Sequence, residues 1–202
     1  MRNNTIFYRI LKLDKTIYEE LVAEQSSLQK GIAIWISGSI ISTLAVTTFL
    51  KNLVVYVKEI VSQSSSELPQ EALLEFKTLI IEIEEGFESI NNVDTLITSQ
   101  VFGFINVFVS VVIIYAVLKY FFRRDPNIRN IGIIYGFSSV PILLNAPILL
   151  FNSLPLQGVI LIATSIFSLI CLGSGLKQVY MLRNIEAILL ILFSGFSSLV
   201  TL

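Results

Sequence analysis

Hydrophobic residues along the chain fall into five long segments that are separated by polar stretches. The segments cover residues 31–50, 101–122, 131–151, 156–176 and 185–202, and each is 18 to 22 residues long. An α-helix rises about 1.5 Å per residue, so roughly 20 residues cross the hydrocarbon core of a bilayer. The pattern therefore predicts an all-α fold, a polytopic membrane bundle of about five transmembrane helices within a membrane domain of residues 31–202.

Two polar segments lie outside the predicted spans. Residues 1–30 form an amphipathic head, expected as a solvated or surface-lying helix that leads into the first span, with a dedicated partner site as the alternative. Residues 51–100 form an acidic loop with a helix of its own. Its apolar positions recur every three or four residues, at Leu73, Phe76, Ile80, Ile83 and Phe87. This helix either caps the outer end of the bundle or docks a neighbouring protein.

The composition is typical of a membrane protein. Hydrophobic residues make up 54% of the chain, charged residues only 14%, and the mean hydropathy is +0.78. There is no histidine and a single cysteine, which excludes intrachain disulfides, Cys/His zinc sites and reactions that need an imidazole. The net charge of -1 creates no global field for nucleic acid, and no ionisable side chain lies deep in a span. We therefore expect a protein without catalytic activity, metal or other cofactor.

The distribution of positive charge predicts the orientation. Eleven of the 14 Lys and Arg residues fall in segments that would share one side of the bilayer. Five of them lie in the head, Lys119 lies in the last turn of the second segment, and those in the basic loops are Arg123, Arg124, Arg129, Lys177 and Arg183. Because cytoplasmic loops carry an excess of Lys and Arg, the N-terminus is predicted to be cytoplasmic and the C-terminus outside. This alternation requires an odd number of spans, which favours counting residues 185–202 as the fifth.

Small residues inside the spans indicate close helix packing. Gly132 and Gly136 form a G-x-x-x-G motif, and further small residues in the spans are Gly38, Ser42, Gly173, Gly175, Ser194 and Ser198. Such residues let helix backbones approach closely in lipid, where apolar side chains provide no net driving force. The pattern predicts a packed bundle. It leaves open whether the small residues of a given span pack within the bundle or against another membrane protein.

The third span, "IYGFSSVPILLNAPILL", contains two helix breakers. In an α-helix, Pro141 cannot donate to the carbonyl of Phe137, and Pro147 leaves the carbonyl of Leu143 free. We expect Ser138, Ser139 or Asn145 to satisfy the freed carbonyls, which predicts a kinked helix kept inside the bundle. The alternative is that the kink forms a ligand or ion site, as the broken helices of transporters do.

Several of these features together resemble the Yip-domain (Ypt-interacting-protein domain) family of multi-span membrane proteins. The basic loop "RRDPNIRNIG" leads into "YGFSSVP", and "LKQVYMLRNIEAILL" introduces the last span. The matching positions are Tyr135, Gly136, Pro141, Lys177 and Arg183. The Asp-Leu-aromatic-Gly-Pro motif of eukaryotic relatives, which act in traffic between ER and Golgi, is absent, and the long acidic loop resembles the prokaryotic members. The resemblance implies a prokaryotic cell membrane and, as one partner, an ABC-type exporter.

The sequence thus predicts a non-catalytic integral membrane scaffold or accessory subunit of a larger membrane complex. Its partners would be the lipid bilayer and other membrane subunits, with a homo-oligomer as a further option and no nucleic acid. The alternative function is a small transporter or channel that is gated by the proline-kinked third helix.

Overall fold

The computed structural model describes residues 3–63, 71, 74–76, 78–82 and 93–200, with side chains described at 5–63, 71, 74–76, 78–82, 97–98 and 100–193. The α-helices are α1 (Asn3–Leu11), α2 (Ile17–Ala23), α3 (Ser27–Gln63), α4 (Val93–Ala116), α5 (Ile128–Ser138), α6 (Leu154–Tyr180) and α7 (Asn184–Val200). A π-helical turn, Val117–Phe121, extends α4, and a 3₁₀ helix, Val140–Leu150, follows α5. All regular secondary structure among the described residues is helical, as predicted.

Four helical segments are long and apolar enough to cross a membrane. The first to fourth spans are Ser27–Gln63, Gln100–Phe121, Ile128–Leu150 and Leu154–Tyr180. They are compatible with an integral membrane protein. The helix α7 has 17 residues, and its described apolar part, Asn184–Phe193, is shorter than a span. The fifth span and the orientation of the termini therefore stay predictions.

The first span is longer than its apolar segment. The pattern placed the end of the span at Leu50, whereas α3 continues to Gln63. No glycine or proline occurs between residues 39 and 63, so nothing in the backbone chemistry stops the helix. Its 37 residues reach about 56 Å at 1.5 Å per residue, well beyond a hydrocarbon core of about 30 Å. The polar connection to the second span consequently begins later than predicted.

The helix predicted in this connection lies partly among the described residues. Residues 74–76 and 78–82 are helical, whereas Leu73, Ile83 and Phe87 lie outside the described residues. Ile80 is 7% exposed and packs against Val54 of α3, which is also buried. Phe76 is 44% exposed. The described part of this helix thus packs on the extension of the first span through Ile80.

The contacts between spans define their directions. Gly31 of α3 lies against Gly136, and Gly38 lies against Ser139 and Ile142, so the first and third spans run parallel. The fourth span runs antiparallel to the third, because Thr164 contacts Asn145 and Gly175 contacts Ile134 near the opposite end. We call the end that carries α1, α2 and the turns at 122–127 and 181–183 the basic end, and the opposite end the distal end.

The third span is the central helix of the bundle. In its most apolar 18-residue window, 56% of the residues are buried, compared with 11% in the first span. The main core lies in the basic half and includes Ile114, Ile134 and Leu176. Large apolar side chains on the outer surfaces of the spans are exposed, among them Val159 and Ile162 at 63% each. These surfaces suit contact with lipid rather than water.

The head contributes to the main core, which differs from the expectation of a solvated or surface-lying helix. Ile6 and Ile10 of α1 and Ile17, Tyr18 and Leu21 of α2 are all buried in it. The helix α2 packs against α5 and α6, and α1 packs against α2 and the 3₁₀ helix that follows α5. The segment was difficult to place because two short helices with a turn between them do not produce one continuous helical period.

Candidate functional site

The predicted kink in the third span is a change of helix type. The α-helical bonds end at Ser138, and Val140–Leu150 continues as a 3₁₀ helix. Runs of more than three or four residues are uncommon in this conformation, in which bonds join residues three apart. Pro141 is buried and Pro147 is exposed. The change from hydrogen bonds between residues four apart to bonds between residues three apart decides which carbonyls lose their donors.

The freed carbonyls differ from those that were predicted. Pro141 in a 3₁₀ helix faces the carbonyl of Ser138, and this oxygen accepts a hydrogen bond of 2.8 Å from Ser168 Oγ of α6. The Ser139 N–H donates to Gly136, so the carbonyl of Tyr135 loses its α-helical donor. The hydroxyls of Ser138 and Ser139 both donate to that carbonyl, at 2.7 and 3.3 Å. The prediction assumed the α-helical spacing of four residues and therefore named Phe137 and Leu143.

Asn145 bonds to the fourth span instead of a freed carbonyl. Its side-chain oxygen accepts a hydrogen bond of 2.6 Å from Thr164 Oγ1. Both residues are buried, at 2% and 6% exposure. In a 3₁₀ helix residues three apart share a face, so Asn145 and the buried Ile148 both point towards the bundle. The polar side chain therefore links two spans.

Gln157 forms a second polar link at the distal end. It is fully buried, and its side-chain amide donates to the carbonyls of Ile148 (3.3 Å) and Phe151. Its oxygen accepts from Asn52 Nδ2 at 3.1 Å. Three spans thereby meet at one amide, and the end of the 3₁₀ helix is capped. Sequence reasoning missed this residue, although a glutamine at the start of an apolar segment is a detectable signal.

The glycines that were predicted to pack between helices make different kinds of contact. A β-carbon at Gly136 would lie 2.5 Å from the carbonyl carbon and oxygen of Gly31, so the backbones of the first and third spans touch there. At Gly175 a β-carbon would lie 2.5 Å from Ile134 and 2.9 Å from Tyr18. Gly31, the partner of Gly136, was not predicted as a packing residue, because it lies at the edge of its apolar segment.

The remaining predicted packing positions are less crowded or are not described. A β-carbon at Gly132 would meet one leucine methyl group, of Leu28, at 3.4 Å, and one at Gly38 would have ordinary contacts with the third span. At Gly173 it would approach only the flexible end of Ile191, at 2.6 Å. Ser42 is partly buried. The predictions for Ser194 and Ser198 fall on side chains outside the described residues.

The predicted basic loops contact the main chain of other segments. Arg129 donates to the carbonyls of Val22, Glu24 and Gln25, at 3.0, 2.8 and 3.2 Å, and so satisfies the C-terminal end of α2. Arg124 donates to the carbonyl of Met181 at 3.2 Å. The remaining basic residues, Arg123, Lys177 and Arg183, are exposed at the same end. Arg129 therefore fixes the head to the third span.

The head also carries a compact network of charges. Arg9 donates to Asp14 at 2.7 Å and to both carboxylate oxygens of Glu20 at 2.6 and 2.7 Å. The guanidinium of Arg9 and the N–H of Thr16 lower the pKa of Asp14 to about 2, and Arg9 likewise lowers the pKa of Glu20. Lys30, at 2.5 Å, is the main cause that lowers the pKa of Glu24 to about 2, with help from Ser26.

These polar groups bond to one another and to the main chain. The polar side chains of the broken third span and its neighbours donate to carbonyls or to each other, and in the part of the chain that the structure describes no three Cys, Asp or Glu residues converge as metal ligands. The chemistry that the arrangement supports is attachment of one helix to another in a medium without water.

Comparison of the chain with protein-family models, with curated proteins and with solved structures gave no match. The resemblance to Yip-domain proteins therefore stays a prediction that rests on its motif residues.

Proposed function

We propose that this chain is a non-catalytic integral membrane scaffold or accessory subunit of a larger membrane complex. The observation that carries the proposal is the use of the polar residues in the central spans. Ser168, Thr164 and Gln157 each hydrogen-bond to a neighbouring span, at Ser138, Asn145 and Asn52 respectively. A transport site needs polar groups that are free to exchange partners with a solute, whereas these groups hold helices together.

The proposed partner is another membrane subunit that contacts the sides of the spans. The first span is the least buried, with exposed Val46, Val55 and Tyr56 along its surface. In the head, by contrast, most of the large apolar residues are already buried in the core. The Yip resemblance favours an ABC-type exporter in a prokaryotic cell membrane, and a homo-oligomer uses the same surfaces.

A small transporter or channel is the second candidate, and one observation favours it. The central span contains an eleven-residue 3₁₀ helix, a conformation that is rarely this long and that often marks a hinge. In this case the segment Val140–Leu150 would act as the gate.

Purification in mild detergent, followed by reconstitution in liposomes, separates the two candidates. The scaffold proposal expects a membrane subunit to copurify at fixed stoichiometry and the purified chain alone to give no solute or ion flux. Flux from the chain alone would overturn the scaffold proposal and support the gate. Recovery as a monomer without a partner, under conditions that keep known complexes intact, would count against both the accessory role and the homo-oligomer.

The proposed orientation, with the basic end in the cytoplasm, has its own test. In a background with Cys171→Ser, a single cysteine is introduced by Asn152→Cys at the distal end or by Lys177→Cys at the basic end; both residues are exposed. A membrane-impermeant maleimide added to whole cells is expected to label the first variant and not the second. The opposite labelling pattern would reverse the orientation.

A further inference from the structure

A groove opens along the bundle between the first and second spans. The two helices touch at few points. Trp35 and Phe104 meet edge to face with their ring centroids 4.5 Å apart, and Ser39 donates to Gln100 at 2.7 Å. A recess of about 250 Å³ lies on the basic side of the aromatic pair, and one of about 400 Å³ lies on the distal side. Phe104 lines both recesses.

The walls of the groove are apolar and open to the side of the bundle. Ile32 is 42% exposed and Phe108 is 67% exposed. Gly132 and Gly136 line part of the basic recess. The two recesses, with the exposed Phe104 ring between them, extend along α3 from Leu28 to Leu44, a distance of about 24 Å at 1.5 Å per residue. One leaflet occupies roughly half of a 30 Å hydrocarbon core, so this length accommodates a lipid chain.

One positive charge stands at the basic end of the groove. Of the residues that line the basic recess, Arg129 is the charged one. Its guanidinium donates to neutral main-chain carbonyls and forms no ion pair with any described residue. The nearby Glu24 carboxylate is already paired with Lys30 at 2.5 Å. The charge of Arg129 is thus held in place and remains available to an anion.

We propose that the groove binds one acyl chain of an anionic glycerophospholipid, whose headgroup phosphate pairs with Arg129. A transmembrane helix is about 10 Å across and is too wide to enter recesses of this size, whereas a lipid chain is one methylene wide. Basic pockets between helices at a membrane surface select anionic headgroups. The inference needs only the membrane location, so it is independent of any protein partner and of the scaffold role.

The test measures lipid retention by native mass spectrometry, with phosphatidylglycerol and phosphatidylcholine of identical chains as probes. We expect the wild-type protein to bind phosphatidylglycerol about fivefold more tightly, since one basic residue near the surface contributes about that much. Arg129→Gln is expected to abolish the preference, and Arg129→Lys to keep it. Equal binding of both lipids by the wild type, or an unchanged preference in Arg129→Gln, would overturn the proposal.

A second pair of variants tests the groove without touching the charge. Ile32→Trp fills the groove and is expected to reduce retention of both lipids at least fivefold. Ile162→Trp, on an exposed face of α6, makes the same change outside the groove and is expected to have no effect. Equal effects of the two variants would refute a specific site. A wild-type dimer that Ile32→Trp converts to a monomer would assign the groove to a second copy of the chain and overturn the lipid proposal.

Discussion

Gly136 is the residue at which the two most different spans meet. The first span is the most exposed of the four and the third is the most buried, and their backbones touch at Gly31 and Gly136. The contact is backbone against backbone, so no side-chain rotation can relieve a clash there. Gly132, one turn earlier, faces a leucine methyl group that can move.

The first prediction compares alanine at these two glycines. Gly136→Ala places a β-carbon 2.5 Å from the Gly31 carbonyl and must separate the helices, so we expect a loss of about 3 kcal/mol in the free energy of unfolding. Gly132→Ala should change it by less than about 1 kcal/mol, because the 3.4 Å contact is with a side chain and alanine favours the helix. Unfolding experiments in detergent measure the free energy of unfolding of both variants. Similar values for the two variants would exclude the close approach.

Tyr18 and Tyr180 give a second pair at the residue scale. The Tyr18 hydroxyl is buried and has no hydrogen-bond partner among the described residues, although the Cys171 thiol lies beside it. The Tyr180 hydroxyl donates to the carbonyl of Asn127 at 3.2 Å. Tyr18→Phe should therefore raise the free energy of unfolding by about 1 kcal/mol, and Tyr180→Phe should lower it by about 1 kcal/mol. A loss in Tyr18→Phe as large as that in Tyr180→Phe would show that the first hydroxyl is satisfied.

At the scale of elements, the third span shows how far proline spacing can be interpreted. Two prolines and nearby serines predict an interrupted helix, since proline lacks the N–H that a helix requires, and the α-helix ends at Ser138. The helix type after the interruption was not predictable, because 3₁₀ and α-helical bonds differ little for a short apolar segment and packing decides between them. Because the helix after the interruption is 3₁₀, Pro141 frees the carbonyl of Ser138 instead of that of Phe137. Ser168 of another helix donates to this carbonyl.

The third prediction concerns the links between elements. Thr164→Val removes the hydrogen bond to Asn145 while keeping the shape of the side chain, and it leaves a buried amide oxygen without this donor. We expect a loss of about 1–2 kcal/mol, at the upper end of values for interhelical hydrogen bonds in membranes. The adjacent Ser165 donates only to its own helix, at Leu161, and is exposed. Ser165→Ala should therefore change stability by less than about 0.5 kcal/mol, and equal losses would argue against a special role for the interhelical bond.

At the scale of the whole molecule, the head joins the fold through charge as well as apolar packing. Asp14, Glu20 and Glu24 all have pKa values below the ordinary range, because Arg9 and Lys30 stabilise their ionised forms. A carboxyl group with a lowered pKa in the folded state stabilises the fold above its unfolded pKa, near 4. That contribution is lost as the pH falls from about 4 through about 2.

The fourth prediction follows from the direction of these pKa shifts. Thermal stability in detergent should be constant from pH 7 to about pH 5 and should fall between about pH 4 and pH 2. Arg9→Met should lower the stability at pH 7 and reduce its loss on acidification, because the pKa values of Asp14 and Glu20 then move back towards their ordinary range. Lys15→Met, an exposed residue of the same turn, serves as the control and should keep the wild-type profile. If Arg9→Met lost as much thermal stability between about pH 4 and pH 2 as the wild type, Arg9 would not be the cause of the acid sensitivity.

The sequence by itself determined the helical class, the first four of its five predicted spans and the absence of histidine chemistry. The fifth span stays a prediction. Apolar segments of about 20 residues have few alternatives in structure, because a chain in lipid must satisfy its backbone within each helix. Only the tertiary structure decided that Gly136 meets Gly31, that Gln157 joins three spans and that the head is part of the core. These contacts join residues far apart in the chain, and each depends on the rotation of one helix about its axis relative to another. A hydrophobic pattern that is apolar on nearly every face does not specify that rotation.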